Sequence, residues 1–477
     1  MSVDRKTILV CGDGLAGRLT ATALSGALGK AYRIVLVGAR TAPAEDLFYG
    51  TVTAPSGYDF LLSLGLTEPA LFMETETSFS YGTHYKAWPG QKPWVQSHQA
   101  PFQNIAGTPL RHHLTRTNIA MAPLLVAAQS ALQGRFAHPP EDPKVPLSRA
   151  EYGYQFNPGE WVDLLGRHLA KASVEIADAK ISHIAHDGGQ ITGIELGDGM
   201  RFSPDLVIDC TGSDRACLKT LDATFDSQRR IAAWGQRRGT GQLGAPCRSI
   251  ESGPDGWTST THLQNSDYVL SIGDPEQSER GEPDATLALG RVQNAWIGNC
   301  VAIGHAASAL EPITPAPMML LQRDIERLLE LIPVSQDMTA ERREFNRRFQ
   351  DDVAHSELFQ LALYCGNAMP GTDYWMAAKA ASDTETLKRK VAQFEHRGLL
   401  VKYDLEPFND EDWTILHFGM GRVPRLHDLQ AELMPMNEVA TELAAMKQAI
   451  EQMVPRMPPH HVYVGNMKRY FEKQKYV

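Results

Sequence analysis

The sequence predicts an α/β fold: a Rossmann-like dinucleotide-binding module assembled from discontinuous segments, a mixed α+β module, and a helical C-terminal part. Three observations carry this. Lys6–Cys11 (KTILVC) is a short β-rich run, followed at once by G-D-G-L-A-G at 12–17, a helical stretch over Arg18–Leu28 and a second buried strand at Arg33–Val37. Two further apolar runs, Asp205–Cys210 (DLVIDC) and Cys300–Ile303 (CVAI), lie far along the chain, and each runs into a glycine. After Pro317 the pattern turns helical.

The elements follow in order. The first strand, helix and second strand form a βαβ unit of about 30 residues, with parallel strands. The runs at 205–210 and 300–303 add strands to the same sheet, so a ligand crevice lies at its carboxyl edge. Ala87–Pro146 is irregular and rich in Pro, His and Gln. Ile231–Gly290 is rich in Gly, Ser and Thr with alternating stretches, which predicts antiparallel strands and loops. Met318, Leu321, Ile325, Leu328, Leu329 and Ile332 share one helical face, with Arg323, Asp324, Arg327 and Glu330 opposite. Asn437 is placed to cap a late helix striped by Val439, Leu443, Met446, Ile450 and Met453. The resulting boundaries are 1–86, 147–230 and 291–335 for the dinucleotide module, 87–146 and 231–290 for the mixed module, and 336–477 for the helical part, expected to pack on the mixed module.

The chain has 477 residues, 43% hydrophobic and 21% charged, with a formal net charge of −10. An acidic balance without basic blocks argues against a nucleic-acid binder. The start lacks the apolar segment of a secretory signal, and no run of 18 apolar residues appears, so no membrane association is expected and the expected location is cytoplasmic. The six cysteines are scattered, without C-x-x-C or zinc spacing, and Cys11, Cys210 and Cys300 sit in apolar runs; buried thiols are expected, and no metal site. His112-His113 and His460-His461 are adjacent pairs whose side chains diverge, so they and Trp413 are expected to serve structure.

The G-x-G-x-x-G at Gly12, Gly14 and Gly17 follows a strand and opens a helix at Leu15 and Ala16, the context that makes the motif a dinucleotide site. Its glycines allow the tight turn, the approach of a pyrophosphate and close helix–strand packing. One feature departs from the fingerprint. The acid expected near Gly38, on the ribose, is absent from VLVGAR; Arg40 is a candidate contact to ribose or phosphate, and Glu45 or Asp46 a candidate replacement for the acid. There is one such fingerprint, so reducing equivalents are expected from elsewhere.

Residues 298–320 (GNCVAIGHAASALEPITPAPMML) raise a question. A helix N-terminus offers free N–H groups to anions and cofactors, and proline removes them. Pro312, Pro315 and Pro317 fall where such donors would be wanted. Proline is also favoured at a first helical position, so a stiff helix start is the plain alternative.

Together with YGTVTAPSGYDFLLSLGL at Tyr49–Leu66, YGYQFNPGEWVDLLGRHL, NCVAIGHAASALEP, WTILHFGMGRVP at Trp413–Pro424 and MPPHHVY at Met457–Tyr463, these segments resemble the flavin-dependent tryptophan halogenase family over nearly the whole chain. The resemblance implies an FAD module, a second module over an aromatic site, and reduced flavin supplied by a separate reductase. It implies Gly304, Pro312 and Ile313 at the flavin, and His98 and Phe102 in the aromatic pocket. It also marks departures. The family's lysine, which directs hypohalous acid to the substrate, corresponds to Ser80; Lys86 is six residues further on, roughly 20 Å along an extended chain. The family's loop E-P-L-E-S-T-G reads Glu311-Pro312-Ile313-Thr314-Pro315-Ala316-Pro317, so its second glutamate becomes Thr314 and a position that offers an N–H to halide becomes Pro317. The W-x-W-x-I-P signature reads GWTSTTHL from Gly256 to Leu263, keeping only Trp257. His305, after Gly304, is a candidate flavin contact or acid–base group.

The resulting expectation is an FAD-dependent oxidoreductase, a monooxygenase or oxidase acting on an aromatic, indole-like or peptide-linked, substrate. No catalytic residue is assigned; His305, Thr314 and Ser80 are the positions to test. Two alternatives stay open: a non-catalytic substrate-binding or partner protein with a degenerate flavin site, and an atypical halogenase. A homodimer is left open as well.

Overall fold

In the computed structural model, which describes residues 5–38, 43–276, 280–333, 335, 337–366 and 368–474, the apolar runs assemble as one sheet. Its order is Trp296–Ile297, Cys300–Ala302, Leu206–Asp209, Thr7–Cys11, Arg33–Val37 and Val174–Ala177. All pairings but that of the edge strand Trp296–Ile297 are parallel. Parallel strands covered on both faces lack an exposed side, which is why they read as unbroken apolar runs. Helix Leu15–Leu28 packs on this sheet and against helix Pro158–Leu169. The α/β class is as expected; Val174–Ala177 is an additional strand whose sequence, VEIA, is too short and too exposed to stand out.

The second sheet has eight strands: Ser308–Ala309, Ala285–Val292, Phe225–Gly239, Ser266–Gly273, Gly256–His262, Arg248–Gly253, Gly82–Ala87 and Trp94–Ser97. The boundary expected at 86/87 falls inside Gly82–Ala87, and that at 230/231 inside Phe225–Gly239. Both strands are held whole by their partners in this sheet. Helices Thr339–Leu361, Asp373–Ala381, Glu385–Arg397 and Asp410–Gly419 cover it. One buried cluster joins Ile231, Ile250, Trp257 and Ile272 of the sheet to Phe359, Trp375, Leu387 and Trp413 of these helices.

Two local expectations are corrected. Asp324 and Arg327, expected on the polar face of helix Ala316–Glu330, are buried. They form an ion network in which Arg327 reaches both Asp324 (2.9 Å) and Asp352 of the next helix. Burial lifts the Asp324 carboxyl to about 6 against the pull of Arg327. Pairing makes the burial of such groups tolerable, and amphipathic patterning does not register it. The late helix spans Met436–Met453 with Pro435 at its N-cap, so Asn437 lies inside the first turn and caps nothing. Its expected stripe does face inward, with Val439, Leu443 and Ile450 buried.

Among the described residues no helix is long and apolar enough to cross a membrane, and no group of three His, Cys, Asp or Glu side chains is placed to hold a metal. The cysteines are free, and only Cys365 is not fully buried.

Candidate functional site

The glycine turn is built as the motif requires. Gly12 has φ +113°, and a Cβ there would collide with the Cys210 carbonyl; one on Gly17 would collide with the Gly12 carbonyl. A groove of about 280 Å³ runs along the strand ends and is lined by Gly12, Asp13, Gly38, Lys180, Thr211 and Asp214, among others. This cradle fits the nucleotide end of a dinucleotide. Arg40 lies outside the described residues.

The continuation of the groove is different. The first N–H of helix Leu15–Leu28, that of Leu15, donates to both carboxylate oxygens of Asp46 (3.2 and 3.1 Å). That helix end is where a pyrophosphate binds in this motif, so one N-terminus cannot hold Asp46 and a phosphate at once. Asp46 therefore does not take the ribose role suggested for it. Nor does Glu45, which accepts hydrogen bonds from Ser213 N (3.0 Å) and the Ser213 hydroxyl. Tyr49, at the end of the same 3₁₀ turn Pro43–Tyr49, stacks on His305 with ring centroids 3.9 Å apart and planes 10° apart. His305 N–H donates to the Tyr49 hydroxyl (3.1 Å), and a Cβ on Gly304 would collide with that oxygen. The His305 ring is buried, and burial pushes its pKa down to about 3. Its imidazole is therefore neutral. A pyrophosphate on this helix end requires Asp46 to leave the Leu15 N–H.

The proline segment is held from outside. Buried Arg248 donates to Pro312 O (2.8 Å) and Ile313 O (2.6 Å), and Tyr85 OH also reaches Ile313 O (3.2 Å). Gln360 Nε2 donates to Glu311 O (2.7 Å) and to Thr314 Oγ1 (3.0 Å). The Glu311 carboxylate accepts from Trp257 Nε1 (2.5 Å), Tyr364 OH (2.8 Å), Tyr374 OH and Arg229. Burial lowers Arg248 to about 10, so it stays cationic at neutral pH. At the helix start, Ala316 N–H is turned to Thr314 Oγ1 (3.3 Å) and Pro317 has no N–H. Two of the donors an anion would use are thus withdrawn.

Beyond this loop lies a chamber of about 190 Å³. Thr314, Pro315 and Met319 form one wall, with Tyr85, His98, Phe359 and Phe408 around them; Phe359 and Phe408 stack at 3.8 Å. Gln96, Gln99, Glu151 and Asp412 supply its polar rim. His98 is driven down to about 4 by burial and by Arg248, and its Nε2 has no partner. The chamber brings together His98 and Thr314 of the sequence-nominated positions. Phe102 is not among its lining residues: its N–H donates to Glu411 (3.0 Å), and it packs against the apolar cluster that includes Ile105, Leu110 and Leu114. Ser80 is fully buried and donates to Gly82 O (3.1 Å), outside the chamber wall. Lys86 is about half exposed and pairs with Glu251 (3.7 Å). A larger cavity of about 820 Å³, lined by Arg229, His355, Glu357 and Arg389 among others, contains none of the nominated residues.

Sequence reasoning did not nominate Tyr49, Arg248, Gln96, Gln99, Glu151 or Asp412. Tyr49, Arg248 and Gln96 act through partners distant in the chain, and the others are brought to the chamber only by the fold. The one available hint was acidic residues at 45–46 following a fingerprint that lacked its acid.

The family model described as tryptophan halogenase matches residues 7–234 and 274–436. The tryptophan 6-halogenase SttH of Streptomyces toxytricini is 22% identical over 446 residues, covering 81% of this chain and 83% of its own. Among solved structures, BrvH, a flavin-dependent halogenase from Brevundimonas sp. BAL3, superposes with a TM-score of 0.87 at 23% identity, over 97% of this chain and 99% of its own. Xcc4156, a flavin-dependent halogenase from Xanthomonas campestris, superposes equally well, with a TM-score of 0.87 at 23% identity over 97% and 98%.

Proposed function

The chain belongs to the tryptophan halogenase family, whose members are FAD-dependent enzymes, and from that premise we propose an FAD-dependent monooxygenase or oxidase acting on an aromatic, indole-like or peptide-linked, substrate. Reduced FAD, supplied by a separate reductase, provides the electrons with which dioxygen becomes the oxidant. The observation that carries the reading is the lining between groove and chamber. Thr314, Pro315 and Pro317 replace a carboxylate, a hydroxyl and an N–H, while Ser80 holds its hydroxyl against Gly82 O. A halide relay needs a cation there, and Lys86 is paired with Glu251 instead.

The chain's own residues then have these tasks. The glycine turn and Lys180 hold the nucleotide end. Phe359, Phe408 and Tyr85 give a flat ring a stacking surface and keep water from it. Thr314 Oγ1 accepts from Gln360 and Ala316, which turns its O–H outward as a donor. His98, neutral, serves as a hydrogen-bonding group rather than as an imidazolium acid.

A second reading, a substrate-binding partner protein without turnover, is favoured by one observation: Asp46 occupies the first N–H of the helix that follows the glycine turn. Titration of the purified protein with oxidised and with reduced FAD separates the two. Binding of either form, followed by a reductase-coupled assay with indoles, with and without chloride or bromide, is expected to yield products that gain oxygen or lose hydrogen irrespective of halide. Halogenated products would overturn the oxygenase reading. Absence of binding by both redox forms would leave the partner-protein reading.

A further inference from the structure

The chamber is polar in one sense only. Neither lysine nor arginine lines it, whereas two carboxyl groups, Glu151 and Asp412, do. Gln96 donates its amide to Asp412 O (2.9 Å), leaving Oε1 buried without a partner, and Gln99 Oε1 is likewise buried and unpaired. The Glu151 side chain accepts nothing from the protein among the described residues. Asp412 accepts from Asn409 N–H through Oδ2 (2.9 Å), and among the described residues no hydrogen bond reaches its Oδ1. Buried acceptors left unmet are unfavourable, and a ligand that brings donors relieves them.

The surrounding charges do not cancel this pattern. Arg248 stands behind Thr83 with its two terminal nitrogens on Pro312 O and Ile313 O. Arg111 and Lys402 are paired with Asp410, and Glu411 adds a further negative charge near Glu151. Burial, with the Glu411 charge in both cases, raises the two chamber carboxyls, Asp412 to about 7. A carboxyl whose burial opposes its charge is favoured as the carboxylate once a cation stands beside it. The aromatic walls and the small volume restrict the occupant to one compact ring system.

We infer that the chamber takes a compact aromatic amine bound as its ammonium, with Glu151 and Asp412 as counter-charges, and rejects the same ring bearing a free carboxylate. This rests on the aromatic-substrate reading above and narrows it. A site whose acceptors face the ligand discriminates strongly against an analogue that brings another acceptor.

Calorimetric titration of the full-length protein with tryptamine, indole, tryptophan and indole-3-propionate tests the inference. Tryptamine is expected to bind about 10-fold or more tighter than indole-3-propionate, the effect of one charge-assisted hydrogen bond. It should also release protons, so that the heat varies with the buffer's ionisation enthalpy. Glu151→Gln should weaken tryptamine about 10-fold and leave indole unchanged. Gln99→Leu is a second variant that removes an acceptor without touching a charge, and it too should weaken tryptamine selectively. Equal binding of amine and acid, or no change in both variants, would overturn the charge assignment while leaving an aromatic site in place. Failure of all four compounds to bind would overturn the inference and the aromatic-substrate reading together.

Discussion

The cofactor groove and the aromatic chamber lie on either side of one loop, and their polar groups are in opposite states. In the groove, the donors that an anion would seek are already satisfied by the protein: Leu15 N–H by Asp46, Ser213 N–H by Glu45, His305 N–H by Tyr49. In the chamber, the acceptors of Gln96 and Gln99 are unmet. In the first region the protein's own side chains hold the donors, while the second presents acceptors to a ligand's hydrogens. A cavity's volume does not reveal this; the state of its hydrogen bonds does.

The largest test strikes the loop that separates the two. Glu311→Ala leaves the largely covered Arg229 unpaired, and about 3 kcal/mol of stability should be lost, read by chemical or thermal unfolding. A variant as stable as the parent would mean that the regions are not separated by a fixed wall. Next in size, Asp46→Ala removes the groove's own anion. FAD affinity should rise by about 10-fold or more, corresponding to a charge-assisted hydrogen bond of about 1.5–3 kcal/mol, measured by flavin fluorescence quenching. An unchanged or weaker affinity would show that Asp46 does not compete with the cofactor.

A smaller effect concerns the chamber's acidity. Asp412 is held at about 7 by burial, against roughly 3.9 in an unfolded chain. Between those values the native state binds more protons, so stability should fall as pH rises from about 4 to about 7. Asp412→Asn should flatten that slope in melting curves recorded across the range. The smallest effect is Lys86→Ala, which removes an exposed ion pair. Stability should change by no more than about 0.5 kcal/mol, and the product spectrum not at all.

The parts that were legible in the sequence are those whose physics is local. KTILVC, RIVLV, DLVIDC and CVAI announce themselves because a doubly covered parallel strand has no polar side to show. The glycine turn is legible because its geometry admits almost nothing else at Gly12 and Gly17. Asp46 on Leu15 joins residues 31 apart, and Arg248 on Pro312 residues 64 apart. Neither leaves a periodicity. The chamber draws on segments from Ala54 to Asp412, and no local pattern assembles them. The burial of Asp324 and Arg327 was hidden for the same reason, since the partner that makes it tolerable, Asp352, is on another helix.

The carbonyls of Glu311, Pro312 and Ile313 are all gripped by side chains from other segments, and the Glu311 carboxylate anchors one end. The path of the loop is therefore dictated by its surroundings and hardly by its own residues at 314–317. Frame and lettering are separable. Mutation can rewrite the letters that meet the reactants while the frame persists, and that gives a lineage a route from one chemistry to another without passing through a misfolded ancestor. For engineering, it makes this short stretch an exchangeable cassette.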